Sequence, residues 1–152
     1  KEMKLTIGSD HRGYRVKQKI VDYLNKNGHS CNDVGTNSDQ SVDYPDIAQA
    51  VSRDVCAGDS DRGILICGTG IGMAIAANKY PGVRAASCHD EITAEMSRRH
   101  NDANVLCLSA DLFGERNVEP LLQLWLNTDF EGGRHERRVQ KISEIENSLD
   151  SK

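Results

Sequence analysis

Cys67 has the most reactive setting in the chain. It ends the apolar run Ile64-Leu65-Ile66 and is followed at once by Gly68-Thr69-Gly70-Ile71-Gly72. Three alternate glycines tolerate positive φ and let backbone N–H groups approach a ligand with no Cβ between them. The alanine-rich stretch beyond suits a helix, so the glycines form a nest for negative charge at a helix start. A thiol at the strand end would point into that nest, where amides and helix dipole favour charge on sulfur. The residues alone leave two readings: a catalytic thiol with Thr69 sharing or relaying its proton, or a core cysteine that happens to end a strand.

His11 lies beside Asp10, and His100 beside Asn101-Asp102, each in a polar turn. Imidazole and carboxyl together supply acid–base groups that work near neutral pH, although a lone histidine is more often a cap or a surface residue than a catalyst. Asp10, His11, Cys67 and His100 show no local ligand spacing for a metal, and none is expected. Arg134 and Arg138, four apart, share one helical face where two guanidinium forks could grip a phosphate. The other reading of that face is solvated charge paired with Glu131 and Glu136. The glycine loop begins like a dinucleotide fingerprint, with Asp90 in range for the ribose. However, Met73 takes the place of the third glycine and the loop follows the third strand, so no nicotinamide or flavin is expected.

The elements that position these groups alternate. Lys4–Gly8 reads as a first strand, and Ser9–Gly13 as the turn into a helix with Val16, Ile20, Val21 and Leu24 on one face, stopped by Asn27-Gly28. A weaker strand over 29–34 and a polar loop over 35–43 lead to a helix with Pro45 in its first turn and Gly58 after its end. After the central strand, loop and helix come a strand over 83–88, a helix from an Asp90 cap through His100, and a strand over 104–109. A helix around 120–126 and an amphipathic one over about 135–149, with Val139, Ile142 and Ile145 apolar, complete the chain. Five strands alternating with helices predict one domain over 1–152, an α/β fold with a parallel sheet covered on both faces. Asp10-His11, Cys67–Gly72 and Ser109–Asp111 all follow strands and share the edge where such folds bind ligands.

The 152 residues carry 19 Lys plus Arg against 23 Asp plus Glu, a net charge of −4, which gives no basic excess for nucleic acid. No apolar run reaches the roughly 18 residues of a membrane span, and no signal peptide precedes the first strand. The five cysteines are widely spaced with no C-x-x-C pair, as expected of free thiols in a cytoplasmic protein. Cys31, Cys88 and Cys107 read as small buried hydrophobes.

Six motifs in order resemble the type B ribose-5-phosphate isomerase family, which includes allose- and galactose-6-phosphate isomerases. They are Gly8-Ser-Asp-His-Arg-Gly13, Val42-Asp-Tyr-Pro45, Gly63 to Gly72, Ala76-Ala-Asn-Lys79, Ser97-Arg-Arg-His-Asn-Asp-Ala-Asn104, and Gly132-Gly-Arg-His135 with Arg138. The resemblance implies a three-layer α/β/α fold of strand order 2-1-3-5-4, and a homodimer, sometimes paired into a tetramer, whose site lies between subunits. It implies an aldose–ketose isomerase with no cofactor. Cys67 would move a proton between C1 and C2 of the open-chain sugar, the N–H groups of Gly68, Gly70 and Gly72 would hold the enediolate oxygen, and Thr69 would help shuttle the proton. His100, assisted by Asp10, would open the furanose ring. His11, Arg134 and Arg138 would hold phosphate, with Tyr44 and Asn101 lining the sugar site.

The chain departs from that pattern after the fifth strand. Many family members place a phosphate-binding arginine there, where this chain has Asp111, and Ile92 stands where an aromatic residue is common. A carboxylate facing the phosphate would oppose it, which makes Asp111 a candidate for substrate tuning toward a hexose phosphate or an unphosphorylated sugar. Turned to solvent or capping the next helix, it would have no such effect. A non-catalytic sugar-phosphate-binding module is the reading from another functional class.

Overall fold

The computed structural model describes residues 1–150. Five parallel strands, β1 (Lys4–Ser9), β2 (Ser30–Asp33), β3 (Arg62–Cys67), β4 (Ala85–Ser87) and β5 (Val105–Ser109), form one sheet in the order β2-β1-β3-β5-β4. This matches the expected three-layer arrangement. The helices are α1 (Tyr14–Lys26), α2 (Tyr44–Ala57), α3 (Ile71–Ala77), α4 (Glu91–Arg99), α5 (Ala110–Phe113), α6 (Glu119–Asn127) and α7 (Arg134–Asp150).

Side chains alternate across a strand, and the core divides accordingly. Ile64 and Ile66 of β3 join Leu106 and Leu108 of β5 under α1, α4 and α6, with Trp125 fully buried among them. Leu65 and Cys67 turn the other way, with Val105 and Cys107, against Ala48 and Val51 of α2 and Met73 and Ala77 of α3. The thiol of Cys67 therefore belongs to the face that α3 covers.

Local signals behave as the residue types require. Asp90 caps α4 through a reciprocal pair with Thr93, and Gly58 closes α2 in the left-handed region at φ 79°. The fourth strand is shorter than expected because side-chain amides take over its start: Asn104 Oδ1 accepts the Arg84 N–H, and Asn78 Oδ1 accepts the Ala85 N–H. Helix α5 starts at Ala110, so Asp111 lies in its first turn and is not its cap; Ser109 caps it by accepting the Leu112 N–H. Cys31 is half-buried rather than a core residue, because β2 is an edge strand; partial burial still pushes its thiol up to about 11. Burial raises the Cys88 and Cys107 thiols too.

Candidate active site

Three loops meet beyond the carboxyl ends of β1, β3 and β5. At the end of β3 the N–H of Gly70, the second glycine of the loop, donates to Cys67 Sγ at 3.2 Å. Gly70 sits at φ 82°, and an added Cβ would lie 3.1 Å from the Leu108 carbonyl carbon. We therefore expect Gly70→Ala to cost about 1–2 kcal/mol from the left-handed backbone alone. Moving the amide off the sulfur should also lower kcat by at least ~10-fold. Thermal unfolding and steady-state kinetics on that variant check both effects.

The loop is pinned from β5. The Gly68 carbonyl accepts from Ser109 Oγ at 2.8 Å and from the Asp111 N–H at 3.1 Å. Thr69 is exposed and its Oγ1 accepts the Ile71 N–H at 3.2 Å, so its hydroxyl sits at the mouth of the loop. The Tyr44 ring covers Gly72 so closely that a Cβ there would lie 2.7 Å from the ring. After β1, the Asp10 N–H donates to the Ile66 carbonyl and Asp10 Oδ1 accepts the Arg12 N–H. His11 Nδ1 accepts the Val42 N–H at 3.2 Å, which leaves Nε2 as the ring's N–H donor. Asp10, His11, Tyr44, Cys67, Gly68, Thr69, Gly70 and Gly72 are thus gathered at one end of the sheet.

His100, Asn101, Arg134 and Arg138 are not among them. Helix α4 runs back from the carboxyl end of β4, and His100 closes it just before the chain enters β5, where the Asn104 N–H donates to the Arg84 carbonyl. His100 and Asn101 therefore lie at the amino edge, separated from Cys67 by the length of a six-residue strand, about 20 Å. The expected help from Asp10 to His100 does not occur within one chain; the Asp10 carboxylate caps its own turn instead. Arg134 and Arg138 sit with His100: Glu131 bonds Arg99 through both its backbone N–H and its carboxylate, which brings the start of α7 against the end of α4. Among the described residues neither Arg134 nor Arg138 pairs with a carboxylate, because Glu131 is engaged by Arg99.

His100 stacks on His135, with ring centroids 4.2 Å apart and planes 10° from parallel. His100, Glu131 and His135 bring three possible ligand atoms within 4.8 Å of one another. A metal ion lies about 2 Å from an imidazole nitrogen along its in-plane lone pair. Two stacked parallel rings cannot both aim at one ion, so the cluster as folded suits ring stacking.

His135 is buried and its Nε2 has no hydrogen-bond partner. Loss of water lowers its pKa first, then the charges of His100 and Arg134, with Glu131 opposing and Arg138 adding a little. In the unfolded chain the same ring titrates near ~6.5. Its contribution is fully present above that pH and is lost as pH falls toward the lower folded value, because the unfolded state then takes up the proton first. The melting temperature should fall between pH 7.5 and 5.5, and His135→Gln should flatten that fall.

Sequence reasoning missed Arg12, which it treated only as part of a turn. Its Nη2 reaches both oxygens of Asp111, at 2.6 and 2.7 Å. Asp111 thus neither turns a bare charge toward the loop nor stands free in solvent. The two residues are 99 positions apart, and no local spacing joins them; a shared sheet edge was the one available signal.

A model of the Ribose/Galactose Isomerase family matches residues 5–142. The chain belongs to that family. Ribose-5-phosphate isomerase B of Escherichia coli (strain K12) is 43% identical over 143 residues, covering 94% of this chain and 96% of that one. The D-erythrulose-4-phosphate isomerase of Pectobacterium atrosepticum is 38% identical over 145 residues, 95% of each. The solved structure of Clostridium thermocellum ribose-5-phosphate isomerase B superposes with a TM-score of 0.94 at 50% identity, covering 97% of this chain and 99% of that one. In this chain the sheet thus has a thiol at one edge and a histidine–arginine cluster at the other.

Proposed function

We propose that the protein is an aldose–ketose isomerase that interconverts ribose 5-phosphate and ribulose 5-phosphate. The observation that carries this reading is the Cys67 sulfur beneath the glycine loop, accepting the Gly70 N–H, in a chain that matches its family from end to end of the sheet. With the sugar open, the Cys67 thiolate takes the proton from C2. The C2 electron pair forms the C1=C2 bond, and charge moves to O1, where the remaining loop amides stabilise it. The O2 proton passes to O1 with Thr69 as relay at the loop mouth, and return of the proton from Cys67 to C1 as C2=O2 forms gives the ketose and restores the thiolate.

The separation of the two clusters supports a site completed by a second copy. One chain supplies Asp10, His11, Tyr44, Cys67 and the glycine loop; the other supplies His100 to open the ring, with Asn101, Arg134 and Arg138 reaching sugar and phosphate. The apolar face such a homodimer would bury is present. Ile71 and Ile75 of α3 are exposed, and Ile142, Ile145 and Leu149 of α7 line an open groove of ≈ 740 Å³ with Pro81 and Val83. No described helix is long and apolar enough to cross a membrane, and the five thiols are free, which fits a cytoplasmic enzyme.

A panel of ribose, allose, galactose and erythrose phosphates, with free ribose, tests the reading by ketose formation. Ribose 5-phosphate should have the highest kcat/KM. The relative named for erythrulose 4-phosphate favours a four-carbon phosphate as second reading, and a preference for that sugar would decide for it.

A further inference from the structure

Arg12 occupies a position that its ion pair alone does not explain. Both it and Asp111 are more than half exposed, and exposed ion pairs contribute little to stability. The pair nevertheless closes a three-cornered arrangement. Asp111 holds the Gly68 carbonyl through its backbone N–H and the Arg12 Nη2 through its carboxylate. The guanidinium in turn lies across Gly68: an added Cβ there would lie 3.2 Å from Cζ, 3.2 Å from Nη1 and 3.3 Å from Nε. Gly68 follows Cys67 directly, so the group is held over the residue next to the thiol.

Only Nη2 is committed to Asp111. Nε–H and the two N–H groups of Nη1 remain as donors on different edges of the guanidinium, and Nη1, at its end, can meet a phosphate oxygen with a charge-assisted hydrogen bond. His11, the preceding residue, has its Nδ1 occupied by the Val42 N–H and its Nε2–H available. One turn therefore offers imidazole and guanidinium donors side by side at the mouth of the glycine loop.

We propose that Arg12 is a further substrate-binding residue, donating from Nη1 to the phosphate of the sugar, and that Asp111 is its positioning residue. The proposal rests on the sugar-phosphate reading above and deepens it. Asp111 then favours phosphate by fixing the guanidinium, the opposite of the repulsion expected from its charge alone.

The test compares wild type, Arg12→Gln, Arg12→Lys, Asp111→Asn and the Arg12→Gln/Asp111→Asn double variant. Ribose 5-phosphate kinetics are measured on each, along with the affinity for inorganic phosphate by titration calorimetry. Both side chains are exposed, and unchanged melting temperatures will show that the variants fold. Arg12→Gln should raise KM about 10–100-fold with kcat within about 3-fold, and weaken inorganic phosphate by a similar factor. Arg12→Lys should recover part of that loss. Asp111→Asn should raise KM severalfold in wild type and have no effect in the Arg12→Gln background. KM and phosphate affinity within about 2-fold of wild type in Arg12→Gln would overturn the role of Arg12. A lower KM in Asp111→Asn would overturn that of Asp111. If wild type turned over no sugar phosphate, the functional reading would fall, and the calorimetry would still decide whether Arg12 binds phosphate.

Discussion

Cys67→Ser should lose at least ~10²-fold in kcat on ribose 5-phosphate while keeping the fold, because a serine hydroxyl is too weak an acid to supply the base at neutral pH. The substitution is nearly isosteric, and its oxygen can still accept the Gly70 N–H that now reaches the sulfur at 3.2 Å. Packing is therefore conserved while the acid–base group is removed. Cys67 packs with Met73 and Ala77 of α3, so Cys67→Ala would add a small cavity, and its melting temperature should fall slightly more than that of the serine variant. KM should change little in both, since the thiol acts in the transition state. Ketopentose formation with matched thermal unfolding checks these expectations. A serine variant within 10-fold of wild type would contradict the assignment.

The second large effect is recovery from two inactive proteins. Cys67→Ala leaves the amino-edge cluster intact, and Arg134→Ala leaves the carboxyl-edge cluster intact; the sheet holds these edges about 20 Å apart within a chain. If each site draws one cluster from each of two copies, a hybrid dimer contains one site with both lesions and one with neither. Each parent should fall to a few per cent of wild-type activity or less. After subunit exchange, a statistical mixture is half hybrid, and each hybrid has one working site of two, so activity should rise to about a quarter of wild type. Verified hybrids with no recovery would show that the clusters do not act together across copies.

How much of this was legible follows from the range of each interaction. The Cys67–Gly72 loop, the Asp90 cap, Pro45 at the start of α2 and Gly58 at its end all depend on neighbours a few residues away, and each stands where its residue type placed it. The strand order was carried by the family resemblance rather than by any local pattern. Lys17 shows the opposite case. Nothing in α1 marks it as buried, yet it is fully enclosed and bonds Asp33 and Asn37 from the β2 end, a pairing that requires the folded sheet. The polar turn at His100 resembled the one at His11, but the residues alone put only His11 on the edge of the thiol, and His100 joined the site through the family resemblance. One follows a helix and the other a strand, and that difference sends them to opposite edges.

The central claim is that isomerisation proceeds by proton abstraction at C2, with Cys67 as the base, and proton NMR of ribose 5-phosphate in D₂O tests it most directly. Over many reversible turnovers wild type should place solvent deuterium at C2 of the aldose and C1 of ribulose 5-phosphate, and Cys67→Ala should do neither at a measurable rate. Conversion that leaves both positions fully protonated, or exchange that persists at the wild-type rate without Cys67, would contradict the mechanism.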